Sequence, residues 1–290
     1  MKKFFSYAIK GIGIILFIWI LTQIDVGELK RSLTSVSLVH LLLTLILFPV
    51  IYAIKSYRWH VMTSSAGAQT NVRSSTQIYM SGLFLGIATP GKLGEAMKIP
   101  ALMSRGLSFK SATGITILDR LLDVAILGAL GIWAIGALVS VKLAILILII
   151  VVLFSLIAIL LRRLTLKLLP KLDVRSWSLA ISLTVVNWAV YFLQLWILAV
   201  GFGISIDVPT FIAIMTLVGI ISILPIAPAG LGTRDATLLF FFGSMNIPAE
   251  QSIAFSFTIF VLTIVASSIG AYFWIKYPLK KINAQEPLQN

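Results

Sequence analysis

Few side chains in this sequence can do chemistry, and most of them fall in one stretch. Between Ser81 and Asp123, SGLFLGIATPGKLGEAMKIPALMSRGLSFKSATGITILDRLLD, an otherwise apolar sequence carries Lys92, Glu95, Lys98, Asp119, Arg120 and Asp123. A smaller group, Arg234 and Asp235, follows Gly230 and Gly232. Lysine and arginine capture anions, and the planar arginine fork suits phosphate because it donates two hydrogen bonds at once. The carboxylates balance that charge or carry protons. On a helix Asp119 and Asp123, four apart, share a face, while Arg120 points about 100° away. The same aspartate pair is half of an arrangement that holds Mg²⁺ on a diphosphate. Its second half is missing, because Asp207 and Asp235 stand alone. Cysteine is absent, His40 and His60 are isolated, and neither GxSxG, HExxH nor a phosphate-cradling GxxxxGK[ST] occurs. No metal, cofactor or nucleotide is therefore expected.

The surroundings say where these groups must work. Of the 290 residues, 59% are hydrophobic and 11% charged, and the mean hydropathy is +1.04. A compact soluble domain could not hide that much apolar surface, so the chain reads as an all-α polytopic membrane protein. Six stretches approach or exceed the about 20 apolar residues of a spanning helix: 8–24, 38–56, 110–139, 143–161, 177–201 and 249–275. The first, in MKKFFSYAIKGIGIILFIWIL, lacks a small-residue cleavage motif and is expected to be a retained helix. The formal charge of +13 comes from cations scattered between apolar runs. That pattern orients a membrane protein and gives no nucleic-acid surface.

Two regions, 76–105 and 208–245, have an apolar limb, a Pro/Gly break and a second limb too short to span. They are expected to form re-entrant or broken hairpins, with Pro90, Gly91 and Gly94 as breaks in the first and Pro228, Gly230 and Gly232 in the second. Both breaks read P-x-x-L-G, and three spans separate them, so an inverted repeat is expected. The polar connection 162–176 divides it into halves 1–161 and 177–290. If each hairpin returns to its side of entry, eighteen of the 23 cations collect on the amino-terminal side, which places both termini in the cytoplasm. The helix following Gly91 should aim its positive dipole end at the midplane. Plainer readings stay open: an interfacial amphipathic helix around Glu95 and Lys98, a helix end with snorkelling charges around Arg120, and a loop holding Arg234.

The runs GKLGEAMK at 91–98, ILDRLLD at 117–123 and PAGLGTRD at 228–235 resemble the transmembrane region of the lysylphosphatidylglycerol synthase/flippase family. The likeness covers nearly the whole chain, in order and spacing. It implies an integral membrane protein that moves lipids or lipid-linked sugars between leaflets. With its end at Asn290, the chain is expected to lack the soluble aminoacyl-transfer domain of the fused members. Asp235 stands where the family pattern has glutamate, and Glu95, Lys98, Arg120, Arg234 and Asp235 match its charged positions. On this reading Lys98, Arg120, Arg234 and Lys92 bind a phosphate-bearing headgroup, and Glu95, Asp119, Asp123 and Asp235 balance charge or couple protons. Expected partners are membrane lipids and a separately encoded lipid-modifying enzyme or glycosyltransferase. The alternatives are a membrane-embedded Mg-dependent prenyl transferase and a non-catalytic partner subunit.

Overall fold

The computed structural model describes residues 17–160, 172–223 and 230–276, and among them it contains only helices and turns. They are α1 (Val26–Ser35), α2 (Leu38–Ser65), α3 (Val72–Ala88), a 3₁₀ segment (Pro90–Met97), α4 (Lys98–Met103), α5 (Phe109–Leu138), α6 (Val141–Leu160), α7 (Val174–Gly201), α8 (Val208–Ile223), α9 (Thr233–Gly243) and α10 (Ala249–Lys276). The protein is an all-α polytopic membrane protein. Helices α2, α5, α7 and α10 are each long and apolar enough to cross a bilayer, and α6 adds 20 residues of which only Lys142 and Ser155 are polar. Side chains such as Leu42, Ile46, Ile145, Leu146, Ile149 and Ile150 are exposed, as lipid-facing residues must be.

Short polar residues start the helices. Asp25 accepts the Glu28 amide at 2.9 Å, Asn71 and Ser74 cap α3 reciprocally, Ser108 accepts from Ser111, and Asp207 accepts from Thr210. Each satisfies an amide that the first turn leaves without a helical partner.

The two interrupted regions are hairpins that come back to where they began. In the first, the outgoing α3 spans roughly 25 Å at 1.5 Å per residue, and the 3₁₀ segment plus α4 returns over about the same length. Its ends meet: the Gln69 amide, before α3, donates to the Arg105 carbonyl, after α4, at 2.9 Å. The bend is tied by Thr89, whose hydroxyl donates to Leu85 O at 2.7 Å and accepts the Gly94 amide at 2.6 Å. Any Cβ at Gly94 would run into the Leu85 carbonyl, so only glycine lets the returning limb lie this close. In the second region α8 leads out and α9 leads back, and Gln251 at the start of α10 donates to Phe202 O before α8 at 2.5 Å. Both return limbs end alike. Gly106 (φ 92°) and Asn246 (φ 59°) take the left-handed conformation, letting Leu107 N reach Leu102 O and Ile247 N reach Phe242 O.

The helix expected to begin near Gly91 begins only at Lys98, because Pro90–Met97 winds as 3₁₀. The expected dipole site therefore does not form there: α4 has six residues, and its start is occupied by a lysine. The span expected at 38–56 runs on to Ser65, which takes Arg58 and His60 out of the loop and onto a helix. Of the span expected at 8–24, residues 8–16 lie outside the described residues.

The described chain divides into two compact units, one within 1–48, 127–148 and 189–266, the other within 49–126, 149–188 and 267–290. In the former, Phe202, Phe211, Phe242 and Phe255 form an aromatic cluster with ring centroids 5.9–6.4 Å apart, and Trp196 stands edge-on to Phe211 at 5.2 Å. These rings anchor the second hairpin. In the latter, Asp173 closes the start of α7: it accepts the Ser176 amide at 3.3 Å and the hydroxyl of Ser65, the last residue of α2, at 2.6 Å. Hydrogen bonds from Ser176 and Ser65 hold its pKa at about 2, below the ordinary 3.8. With the folded value below the unfolded one, the contribution is complete above about pH 4 and is lost as pH falls towards 2. The protection factor of the Ser176 amide should fall over that interval in the native protein and stay constant in Asp173→Asn.

Candidate functional site

The charged side chains gather in the second unit, and the reason begins with α2. Arg58 is completely buried, and an isolated guanidinium at that position would cost many kcal/mol. Helix α5 supplies the answer. Asp119 and Asp123 share a face and both turn to Arg58, with Nη2 2.7 Å from Asp119 Oδ1 and Nη1 2.8 Å from Asp123 Oδ1. Thr184 of α7 accepts from Nη1 at 2.9 Å. Lys55, one turn earlier on α2, lies 3.4 Å from Asp123 Oδ2.

The first hairpin adds the other half. Lys98, at the start of α4 and 1% exposed, places its ammonium 3.1 Å from Glu95 Oε2 and 3.6 Å from Asp119 Oδ2. The rings of Trp59 and Tyr79 flank it, with centroids at 4.7 and 4.3 Å, a cation–π pair that compensates for lost water. Room for these side chains comes from α3. A Cβ at Gly82 would stand 2.6 Å from Lys98 Cγ and Cε, and one at Gly86 2.7 Å from Glu95 Cγ. Glu95 also takes Arg120 side-on: Nε donates to Oε2 at 2.9 Å, and Nη2 pairs with Oε1. Arg120 points away from the aspartate face, as helical geometry requires, and its side chain is 36% exposed against 9% for Glu95.

The network thus holds four cations, Lys55, Arg58, Lys98 and Arg120, and three carboxylates, Glu95, Asp119 and Asp123. Among the described side chains of the network the cations outnumber the carboxylates by one, and the most accessible member is an arginine. Such a site attracts an anion. Between Asp119 and Asp123, Arg58 occupies the place a divalent cation would take, and no group of three or more metal-ligating side chains occurs among the described residues.

A second arrangement lies in the first unit. Asp235 is fully buried and accepts the Gly232 amide at 2.6 Å, at a bend where Gly230 and Gly232 have φ of 75° and 83°. Ser256 of α10 donates to Asp235 Oδ1 and accepts from Arg234 Nε at 2.7 Å. The adjacent Arg234 and Asp235 are thus bridged through a serine. Buried Arg234 keeps Nη2 without a hydrogen-bond partner among the described residues.

Set against the sequence, the structure brings Glu95, Lys98, Asp119, Arg120 and Asp123 into one network and places Arg234 and Asp235 in another. Within its own unit Arg234 is held by Ser256, while in the other unit Lys98 and Arg120 take Glu95, and Arg58 and Lys98 take Asp119. Gly94 and Gly230 shape the bends as described; Pro228 and the side chains of Pro90 and Lys92 lie outside the described residues. Sequence reasoning missed Arg58 and Lys55, counted only among the eighteen cations on the amino-terminal side, and with them Trp59, Tyr79 and Gly82. One signal was available: two aspartates a helical turn apart need cations, and Arg120 faces the wrong way to serve them.

This fold and charge pattern can be compared with known proteins. The family model of the lysylphosphatidylglycerol synthase TM region matches residues 7–270. The chain belongs to that family. Among its relatives are UPF0104 membrane proteins of Methanocaldococcus jannaschii, 23% identical over 84% of this chain and 86% of that protein, and of Methanothermobacter thermautotrophicus, 21% identical over the same shares. The likeness to both runs nearly end to end. In this member of the lysylphosphatidylglycerol synthase TM-region family, the network joins α2, the first hairpin, α5 and α7. Arg58→Ala should destabilise it by about 3–5 kcal/mol, since two aspartates lose their buried partner. Gly82→Ala should cost about 1–3 kcal/mol by pushing Lys98 from its aromatic slot. Thermal unfolding in detergent measures both.

Proposed function

We propose that this family member carries an anionic or phosphate-bearing lipid between the leaflets, with Arg120 as the first protein group to meet the headgroup. The observation that carries the reading is the excess of one cation over the carboxylates among the network's described side chains, reached through its most exposed cation. A buried network of this kind has little value as a stabiliser, because apolar side chains of equal volume would serve at least as well. Ionisable groups kept at this expense in a membrane segment mark a substrate or ion path. The headgroup meets the guanidinium while the tails stay in lipid, so the cost of crossing the apolar layer falls chiefly on a charge the protein already matches. Aminoacyl-phospholipids and polyprenyl-phosphate-linked sugars both present such a group, and a separately encoded lipid-modifying enzyme or glycosyltransferase would supply them.

Both hairpins have an outgoing helix, a glycine-bearing bend, and a return limb ended by a left-handed residue, which supports the inverted repeat of 1–161 and 177–290. The positive-inside count supports a cell-membrane protein with cytoplasmic termini. Ser104 and Ser244, exposed at the ends of the two return limbs, are the places to test this. In the cysteine-free chain, Ser104→Cys should label only from inside and Ser244→Cys only from outside. Labelling of both from one side would remove the inverted repeat.

For transport itself, Arg120→Ala should lower translocation of fluorescent phosphatidylglycerol in proteoliposomes by more than about tenfold with unchanged expression. Arg120→Lys should recover only a fraction, since a lysine keeps the charge and loses the fork. Native rates in Arg120→Ala would discard the reading.

A further inference from the structure

Glu95 holds Arg120 by the edge that a phosphate would use. Its two oxygens sit on Nε and Nη2 in the side-on geometry of a bidentate pair. Among the described residues the other two carboxylates of the network, Asp119 and Asp123, are both engaged by Arg58. Glu95 also has a second cation, since Oε2 lies 3.1 Å from Lys98 Nζ. Lys98 in turn is steadied by Asp119, Trp59 and Tyr79. Glu95 can therefore release Arg120 and remain paired, which makes the release inexpensive. The Gly86 backbone lies against the Glu95 stem and keeps the carboxylate in place while it does so.

Resting on the lipid-transport reading above, we propose that Glu95 is an internal competitor. In the empty protein it stands in for the substrate's anion on Arg120, and it yields that edge to a singly charged phosphodiester headgroup. The charge class follows from the four cations and three carboxylates that the ion pairs join among the described residues. One negative charge makes the loaded network neutral, whereas a doubly charged phosphomonoester would leave a net negative charge in a region of low dielectric, where an unbalanced charge is expensive. Competition also supplies a means of release: when the headgroup leaves, Glu95 recaptures the guanidinium, and the lipid is not held indefinitely.

A competitor has a signature that a merely structural residue lacks, because removing its charge tightens binding while turnover falls. The full-length protein in detergent is titrated with dioleoylphosphatidylglycerol, dioleoylphosphatidylcholine, dioleoylphosphatidic acid and inorganic phosphate, and bound ligand is read by native mass spectrometry. Glu95→Gln should bind phosphatidylglycerol about tenfold more tightly, the loss of one charge-assisted pair, and should translocate it more slowly. Glu95→Asp, which keeps a carboxylate near Lys98 but shortens its reach towards Arg120, should shift binding in the same direction and serves if the glutamine variant does not fold. Phosphatidylcholine, with no net charge, should gain little. Unchanged or weaker phosphatidylglycerol binding in the folded Glu95 variants overturns the competitor role. Tighter binding of phosphatidic acid than phosphatidylglycerol by the native protein overturns the charge class, and equal competition by inorganic phosphate overturns the lipid source. Arg120→Ala separates this inference from the reading beneath it: native affinity there sinks lipid transport through Arg120 itself, whereas lost affinity without a gain in the Glu95 variants sinks only the competition.

Discussion

A guanidinium with no water around it must be surrounded by acceptors, and in this protein Arg58 imposes that demand on everything near it. Two carboxylates and a threonine hydroxyl answer it at the two Nη groups, while Nε is left without a hydrogen-bond partner among the described residues. To deliver them, α5 must present Asp119 and Asp123 on one face at a fixed height along α2, and α7 must bring Thr184 to the same level. Thr184 can accept because its own proton is committed to the Ala180 carbonyl. Once those elements are placed, Asp119 has an oxygen left for Lys98, and that oxygen draws in the hairpin. The order of dependence runs from a desolvated charge to helix register, and from helix register to the position of Glu95 and Arg120.

The hairpin meets this demand by being thin. Glycines at 82, 86 and 94 remove the side chains that would otherwise separate its limbs, and the 3₁₀ winding of Pro90–Met97 brings Glu95 and Lys98 to one side, three residues apart. The backbone of α3 takes up the space usually left to side-chain packing. The second hairpin has its own arrangement, in which Ser256 mediates between neighbours that cannot face each other and aromatic rings fill the volume that ion pairs occupy in the first.

Much of the fold could be read from the sequence because a bilayer leaves few choices. Long apolar runs become helices, and limbs too short to span must turn back. The positions of α5, α6, α7 and α10 follow within three residues at each described end. The boundary of α2 did not follow, since Lys55 and Arg58 look like the end of a span when only their neighbours are considered. Their true partners lie more than 60 residues further along, and no local pattern announces them. The same limit hid Trp59 and Tyr79, which come from two different helices to flank Lys98. Dipole reasoning about Gly91 failed for another reason: proline and two glycines at 90–94 favour the tighter 3₁₀ winding over an α-helical start. The grouping of Glu95, Lys98, Asp119, Arg120 and Asp123 was legible because ionised side chains in an apolar stretch have few places to go.

The hydrogen bond joining Gln69 to the Arg105 carbonyl has a consequence for biosynthesis. A segment whose two ends lie side by side can be brought into place from one end of the bundle. It can fold from one face into a space already framed by α2 and α5, and it carries Glu95 and Lys98 inward as a neutralised pair. Glu95 and Lys98 gain Arg120 and Asp119 only from α5, so the charges of the hairpin reach their full pairing only once that later helix has been made.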